Sequence, residues 1–276
     1  MIRSSLRPYF VLGGLIALLL VITAGAGVFE KGLYGLFLPA ELVAFQYFQD
    51  LVSLAFAPAL LIVMIYARRG SARAFILWAG ILVYVLYYYA FYGFGMVYTA
   101  YYPLYLALMG LSGFSLIGLL TSVDLEAFQG LVTARMPVRF IAIVLGMSVL
   151  FVPIWLGMLM QGIAAQQASG TALVFVLDLS FLIPAIAYTA VQVCRRCSVG
   201  YLLSGVFLFK ATVSGILLTG GELLKMQRGL PPAMDQLGMY VFLAVAGALG
   251  LVLYMRNLQA GPQALAQQND WQPAQQ

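Results

Sequence analysis

Histidine is missing from all 276 residues, and that one gap removes imidazole metal ligands, histidine-held haem and histidine acid–base catalysis together. Cysteine is nearly as scarce: Cys194 and Cys197 are the only two, so disulfides do not organise the fold. Charge is the third shortage. Charged side chains make up 8% of the chain, against about 25% in a soluble domain. Such a chain cannot cover a soluble core, because 63% of it is hydrophobic. The formal charge of +5 is no nucleic-acid footprint, since the basic residues stand singly or in pairs at the ends of apolar runs. There is also no G-x-x-x-x-G-K-[ST] phosphate loop, no metal-ligand cluster and no loop long enough for a soluble catalytic domain. No cofactor is expected.

What the sequence has in abundance is apolar length. Runs of about 20 residues, enough to cross roughly 30 Å of hydrocarbon, recur along the chain. They lack the short alternating segments of a membrane barrel. The pattern predicts an all-α polytopic membrane bundle of eight transmembrane helices, in one domain over 1–260, followed by a polar, disordered cytoplasmic tail over 261–276. The spans fall at about 9–29, 45–67, 74–95, 97–121, 140–162, 171–193, 199–220 and 237–255. Ala24-Gly25-Ala26 offers a signal-peptidase pattern, but the first run is long for a signal and is read as a retained helix. The connection over 30–48 is aromatic and apolar, and is expected to lie at the membrane surface as a short helix.

Arginines orient the bundle. With the N-terminus inside, Arg3, Arg7, Arg68, Arg69, Arg73, Arg135, Arg139, Arg195, Arg196 and Arg256 fall on the cytoplasmic side of the plasma (inner) membrane. Only Lys31, Lys225 and Arg228 fall outside, which is the asymmetry of the positive-inside rule. Both termini are then cytoplasmic.

Two stretches echo each other. Asp50-Leu51, Pro58-Ala59 and Arg68-Arg69-Gly70-Ser71 match Asp178-Leu179, Pro184-Ala185 and Arg195-Arg196-Cys197-Ser198. The acid-to-arginine spacings are 18 and 17 residues, which suggests a 4+4 parallel internal repeat over 1–121 and 139–256. In repeat-built transporters, ligands bind between the halves. At ~1.5 Å per residue, Asp50 and Asp178 stand roughly 25–27 Å from the inner arginines. Lys210 stands about 21 Å from Arg196, level with Asp178 on the neighbouring helix. An acid and a base alone in hydrocarbon each cost a few kcal/mol, so an Asp178–Lys210 pair is expected. Pro184 frees the Ser180 carbonyl near Asp178, and Thr171, Asp178, Thr189 and Gln192 share a helical face.

Nine of the seventeen tyrosines lie between 84 and 105. Tyr84, Tyr87 and Tyr88 share one face, while Tyr98, Tyr101, Tyr102 and Tyr105 share another; an interfacial aromatic belt is the plain alternative. Asp50 is the expected partner of the Tyr84 hydroxyl, with Gln46 and Gln49 extending that polar face. Gly110, Gly113, Gly118, Ala246 and Gly250 read as close helix packing, whereas Glu222 and Lys225 read as solvated loop charges.

Cys194-Arg195-Arg196-Cys197 is a C-x-x-C whose arginines would favour a thiolate, but its reducing side and the absence of a second pair weigh against redox chemistry. Lys210 alone is a poor signal for a retinal Schiff base.

The paired Asp…Pro…Arg-Arg units and the tyrosine-rich hairpin resemble uncharacterised multi-pass bacterial integral membrane proteins across most of the chain. The resemblance implies a compact eight-helix unit and carries no activity with it. The residues themselves point to an outward-facing polar pocket that binds or transports a small solute, with proton coupling through its acids. Asp50, Asp178 and Lys210 supply charge; Tyr84, Tyr87, Tyr88, Tyr101, Tyr105, Gln46 and Gln49 supply walls and polar groups. The alternative is a scaffold or partner subunit, held in the lipid bilayer as a homo-oligomer or against another protein. An intramembrane enzyme would require acid–base groups converging in a dry site.

Overall fold

Eight helices long and apolar enough to cross a membrane account for most of the chain. The computed structural model describes residues 6–30, 32–166 and 172–259; Arg3, Lys31, Thr171 and the polar tail from Gly261 lie outside them. The spans are α1 (Arg7–Phe29), α2 (Ala40–Arg68), α3 (Ala72–Phe94), α4 (Tyr102–Thr121), α5 (Val138–Ala165), α6 (Ala172–Cys194), α7 (Ser198–Gln227) and α8 (Met234–Arg256). A five-residue turn of helix, Leu125–Gln129, joins α4 to α5, with Asp124 capping it through the Ala127 N–H. Between their ends, helices close nearly all of their backbone hydrogen bonds within themselves, which hydrocarbon demands of a spanning segment.

Neighbours in sequence are neighbours in space. In the first half α1 packs on α2, α2 on α3, α3 on α4, and α4 back on α1. The second half closes the same ring through α5, α6, α7, α8 and again α5. Helix α7 joins the rings by packing on both α2 and α3. Helices α3 and α7 are therefore the central, most buried pair. Small residues let this happen: Gly80 lies against the Phe209 ring, Gly215 against the Ala244 backbone, and Gly118 against the Tyr9 ring. Gly250 meets Leu208 and Gly113 meets Leu86, but Gly110 has open space beside it and packs against nothing.

Three element boundaries differ from the sequence expectation. Helix α2 begins at Ala40, directly after Pro39, so no separate surface helix forms in the described part of the 30–48 connection. Residues 32–38 are turns, and Tyr34 is the one buried side chain among them. Helix α4 begins at Tyr102 rather than near 97, because the chain reverses through Met96 (φ 52°) and Pro103 starts the helix. Tyr98 and Tyr101 therefore precede the helix, and only Tyr102 and Tyr105 of the expected face lie on α4. Helix α7 runs 30 residues to Gln227, about 45 Å, so it outreaches a hydrocarbon layer of roughly 30 Å.

That last extension corrects the reading of Glu222 and Lys225. Both are buried on α7, with Lys225 Nζ 3.0 Å from Glu222 Oε2, and the Ala233 N–H donates to the same oxygen at 3.0 Å. Lys225 also stands 5.7 Å above the Phe45 ring of α2. The pair ties the end of α7 to the start of α8. It is a fastening, not a solvated loop.

Two spans change pitch ahead of a proline. In α5 a 3₁₀ turn occupies Met147–Leu150 before Pro153, and in α6 a π turn occupies Asp178–Leu182 before Pro184. A proline ring displaces the carbonyl four residues earlier, here Val149 and Ser180, and the helix absorbs the clash by tightening or loosening one turn. In α6 the Ile183 N–H reaches back to the Asp178 carbonyl. The far half of α5, Phe151–Ala165, buries no residue.

Candidate functional site

Helix α3 carries five tyrosines, Tyr84, Tyr87, Tyr88, Tyr89 and Tyr92, at a pitch of 100° per residue. Tyr87 and Tyr89 therefore project from nearly opposite sides, with Tyr84 nearer the first, Tyr92 nearer the second and Tyr88 midway between them. This divides the polar residues of the bundle into two groups.

The first group surrounds Asp178. Its Oδ1 accepts the Tyr87 hydroxyl at 2.6 Å and its Oδ2 accepts the Trp155 indole N–H at 3.1 Å. Lys210 does not pair with it directly. The Lys210 ammonium lies 3.7 Å from the Tyr87 ring centroid and 4.8 Å from that of Tyr88, and donates to Ser214 Oγ at 2.5 Å. Tyr88 donates to the same Ser214 oxygen at 3.0 Å. The expected ion pair is thus replaced by a phenol set between the charges: its hydroxyl faces the acid and its π face the base. Two aromatic faces and a hydroxyl satisfy the ammonium while Lys210 stays 3% exposed. Asp178 is half-buried. The bulge places it there, since the extra residue in a π turn rotates everything beyond it. Further along α6, Thr189 donates its hydroxyl to the Ala185 carbonyl of its own helix.

The second group surrounds Asp50, which is 1% exposed. Its Oδ2 accepts Tyr34 Oη–H at 2.7 Å and its Oδ1 accepts Tyr92 Oη–H at 3.0 Å. The two phenol oxygens are 3.4 Å apart. Gly27 of α1 leaves the space in which the carboxylate and the Tyr34 hydroxyl sit; a Cβ there would overlap both. Tyr105 stacks on Tyr92 at 4.5 Å and takes a hydrogen bond from Thr99 at 3.1 Å, while Tyr89 meets Thr23 of α1 at 3.0 Å. Burial, followed by the Asp50 carboxylate, pushes the Tyr34 phenol far up, so Tyr34 stays a proton donor.

Tyr84 stands between the groups but does not reach Asp50. Its hydroxyl meets Ser53 Oγ at 2.6 Å and donates to the Gln49 carbonyl at 3.1 Å. One turn separates Ser53 from Gln49 on α2, and that gap is where the phenol docks. Gln49 contributes its backbone, and its side-chain Nε2 is buried without a partner. Gln46 is half-buried one turn earlier. Tyr101 lies off both groups, at the rim, where it donates to the Glu30 carboxylate and that bond raises its phenol.

Asp50 and Asp178 share no hydrogen-bond partner, so the single chamber expected from their common level is two separate places. Level along the membrane normal does not fix position around a helix, and α3 stands between them. Sequence reasoning missed Tyr34, Tyr92 and Trp155. All three are aromatic residues in apolar surroundings, where hydropathy counts them as membrane filling; only their capacity to donate a hydrogen bond marks them.

The fold and these two groups define a multi-pass α-helical protein of membrane-spanning type. Comparison with protein-family models, with curated proteins and with solved structures finds no match for the chain.

Proposed function

We propose that the protein sits in the plasma membrane with its arginine-rich end inside, and binds a small solute at Asp178. The observation that carries this reading is a half-buried carboxylate with one hydrogen bond to each oxygen, held at a bulge where α5 and α6 both lose regular pitch. Each carboxylate oxygen retains a lone pair. A solute offering an amine or hydroxyl donor would use those lone pairs, with the Trp155, Phe175 and Tyr87 rings beside it. Lys210 balances the charge from behind the Tyr87 ring, so the site accepts a donor without a stranded anion.

Bends of this kind occur where helices move, and a solute held there could be passed across the bilayer by rocking of one ring of helices on the other. Such rocking is the motion of repeat-built transporters. The equal ring closure of the two halves favours an ancient 4+4 duplication as the origin of this arrangement.

The test is a thermal-shift screen of small amines and polyols on the detergent-solubilised protein. A solute that raises the melting temperature of the wild type and not of Asp178→Asn supports the site. A solute that stabilises both equally binds elsewhere.

A second reading has its own observation. Because Phe151–Ala165 buries nothing, this half-helix could be the contact face of a scaffold, for a second copy or another membrane protein. On that reading Asp178→Asn loses folded protein, and adding Lys210→Met restores part of it.

A further inference from the structure

We propose that Asp50, Tyr34 and Tyr92 form a proton-binding triad, separate from the Asp178 site, in which Asp50 holds a proton while Tyr34 covers it. Three oxygen–oxygen contacts close a ring: Tyr34 to Asp50 Oδ2 at 2.7 Å, Tyr92 to Asp50 Oδ1 at 3.0 Å, and Tyr34 to Tyr92 at 3.4 Å. An ionised Asp50 leaves two hydrogens for the three contacts. Both phenols then spend theirs on the carboxylate, and the long third contact faces lone pair to lone pair. A neutral Asp50 brings a third hydrogen, and reversing the Tyr92 bond closes the ring in one direction: Asp50 donates to Tyr92, Tyr92 to Tyr34, and Tyr34 to the other Asp50 oxygen. Each group then donates once and accepts once.

The surroundings agree with the count. No lysine or arginine stands within ion-pair distance of Asp50 among the described residues. The titratable groups facing it are all phenols: Tyr34 from the α1–α2 turn, Tyr84, Tyr89 and Tyr92 from α3, and Tyr105 from α4. From helix α1, Thr23 bonds Tyr89 and Gly27 lies against the Asp50 carboxylate, and neither is titratable. Helix α7 packs on α2, but its charges are engaged elsewhere: Lys210 with Ser214 and two tyrosine rings, Glu222 with Lys225. A lone charge in a spanning helix is unfavourable, and here two phenols alone oppose that cost. Proton uptake is simple to write. Hydronium gives up one O–H bond, a carboxylate oxygen of Asp50 gains one, and water leaves.

Tyr34 sets the access. It is the one buried residue in the 32–38 turns, whereas Leu36 beside it is 90% exposed. The phenol therefore reaches the acid from the tyrosine-rich end of the bundle. Lifting it would uncover Asp50 on that side alone. The assignment does not depend on the Asp178 solute site, and each can fail without the other.

Infrared spectroscopy of the full-length protein in lipid at neutral pH reads the proton directly. The wild type is expected to show a carboxylic-acid C=O stretch, shifted by deuterium exchange and by isotopic labelling of aspartate side chains. The band should vanish in Asp50→Asn, persist in Asp178→Asn, and move in Tyr34→Phe, which removes one hydrogen-bond donor but keeps the ring. Should Asp50→Asn fail to fold, the label and the Tyr34→Phe displacement identify the band without it. Absence of an aspartate-labelled C=O band from the wild type overturns the proposal, as does its loss in Asp178→Asn.

Discussion

At the scale of single residues, small changes of atom count separate the two acid sites. Gly27→Ala places a methyl where the Asp50 carboxylate and the Tyr34 hydroxyl now lie. Overpacking of this kind costs roughly 1–3 kcal/mol, so the variant should melt earlier than wild type in a detergent unfolding assay. Gly14→Ala in the same helix meets nothing within 4 Å and should leave the midpoint unchanged. On the other side of α3, Tyr87→Phe keeps the ring beneath Lys210 but removes the donor to Asp178. A hydrogen bond to a charged group contributes about 1.5–3 kcal/mol. Tyr87→Leu removes the cation–π contact as well and should destabilise further, a difference that thermal unfolding of the two variants measures. The sequence displayed both acids and the lysine, because charge in an apolar run is conspicuous. Their partners were not legible. Tyr34 enters from a turn that no helical period predicts, and Trp155 sits among apolar neighbours with no periodic signal.

Individual helices reveal why the spans were readable and their ends were not. An apolar run of membrane length declares itself by composition, and all eight were visible in this way. The ends of α2, α4 and α7 obey other influences: Pro39, the reversal at Met96, and a buried ion pair that lets α7 continue outside the apolar layer. The turns after α2 and α6 also correct the register of the sequence echo. Each ends with an N–H bonding back five residues, Ser71 to Tyr66 and Cys197 to Gln192, with the left-handed residue just before it. Ser71 thus corresponds in structure to Cys197, not to Ser198. The left-handed position is Gly70 (φ 88°) in one turn and Arg196 (φ 56°) in the other. A non-glycine residue there carries a penalty of about 1–2 kcal/mol. Arg196→Gly should therefore raise the melting temperature slightly despite losing a charge, as calorimetry can measure. In α6, Pro184→Ala restores the missing N–H and removes the clash that drives the π turn. The helix should regain α pitch and rotate Asp178 relative to Trp155 while keeping the fold, and any solute response at the proposed site should be lost.

For the whole molecule, the two rings of helices meet along α7, and its far end is held by the buried Glu222–Lys225 pair. Removing one partner of such a pair costs about 3–5 kcal/mol, because the other is left as a lone buried charge. Lys225→Met should accordingly loosen the α7–α8 connection, seen as faster proteolysis between Arg228 and Ala233, with Glu222→Gln in the same chain restoring part of the protection. The proposed orientation has its own check: reporters active only in the cytoplasm, fused to either terminus, should both be active.

The tryptophans of this chain are unevenly placed, and that has a practical use. Trp78 is fully enclosed, with Phe10 5.3 Å away, whereas Trp155 lends its indole N–H to Asp178. With Trp271 changed to phenylalanine, two emitters remain, one blind to events at the acid and one touching it. Occupancy of the proposed site would then be read from the protein's own light, with no dye attached, and Trp155→Phe, which leaves only Trp78 emitting, serves as the unresponsive control.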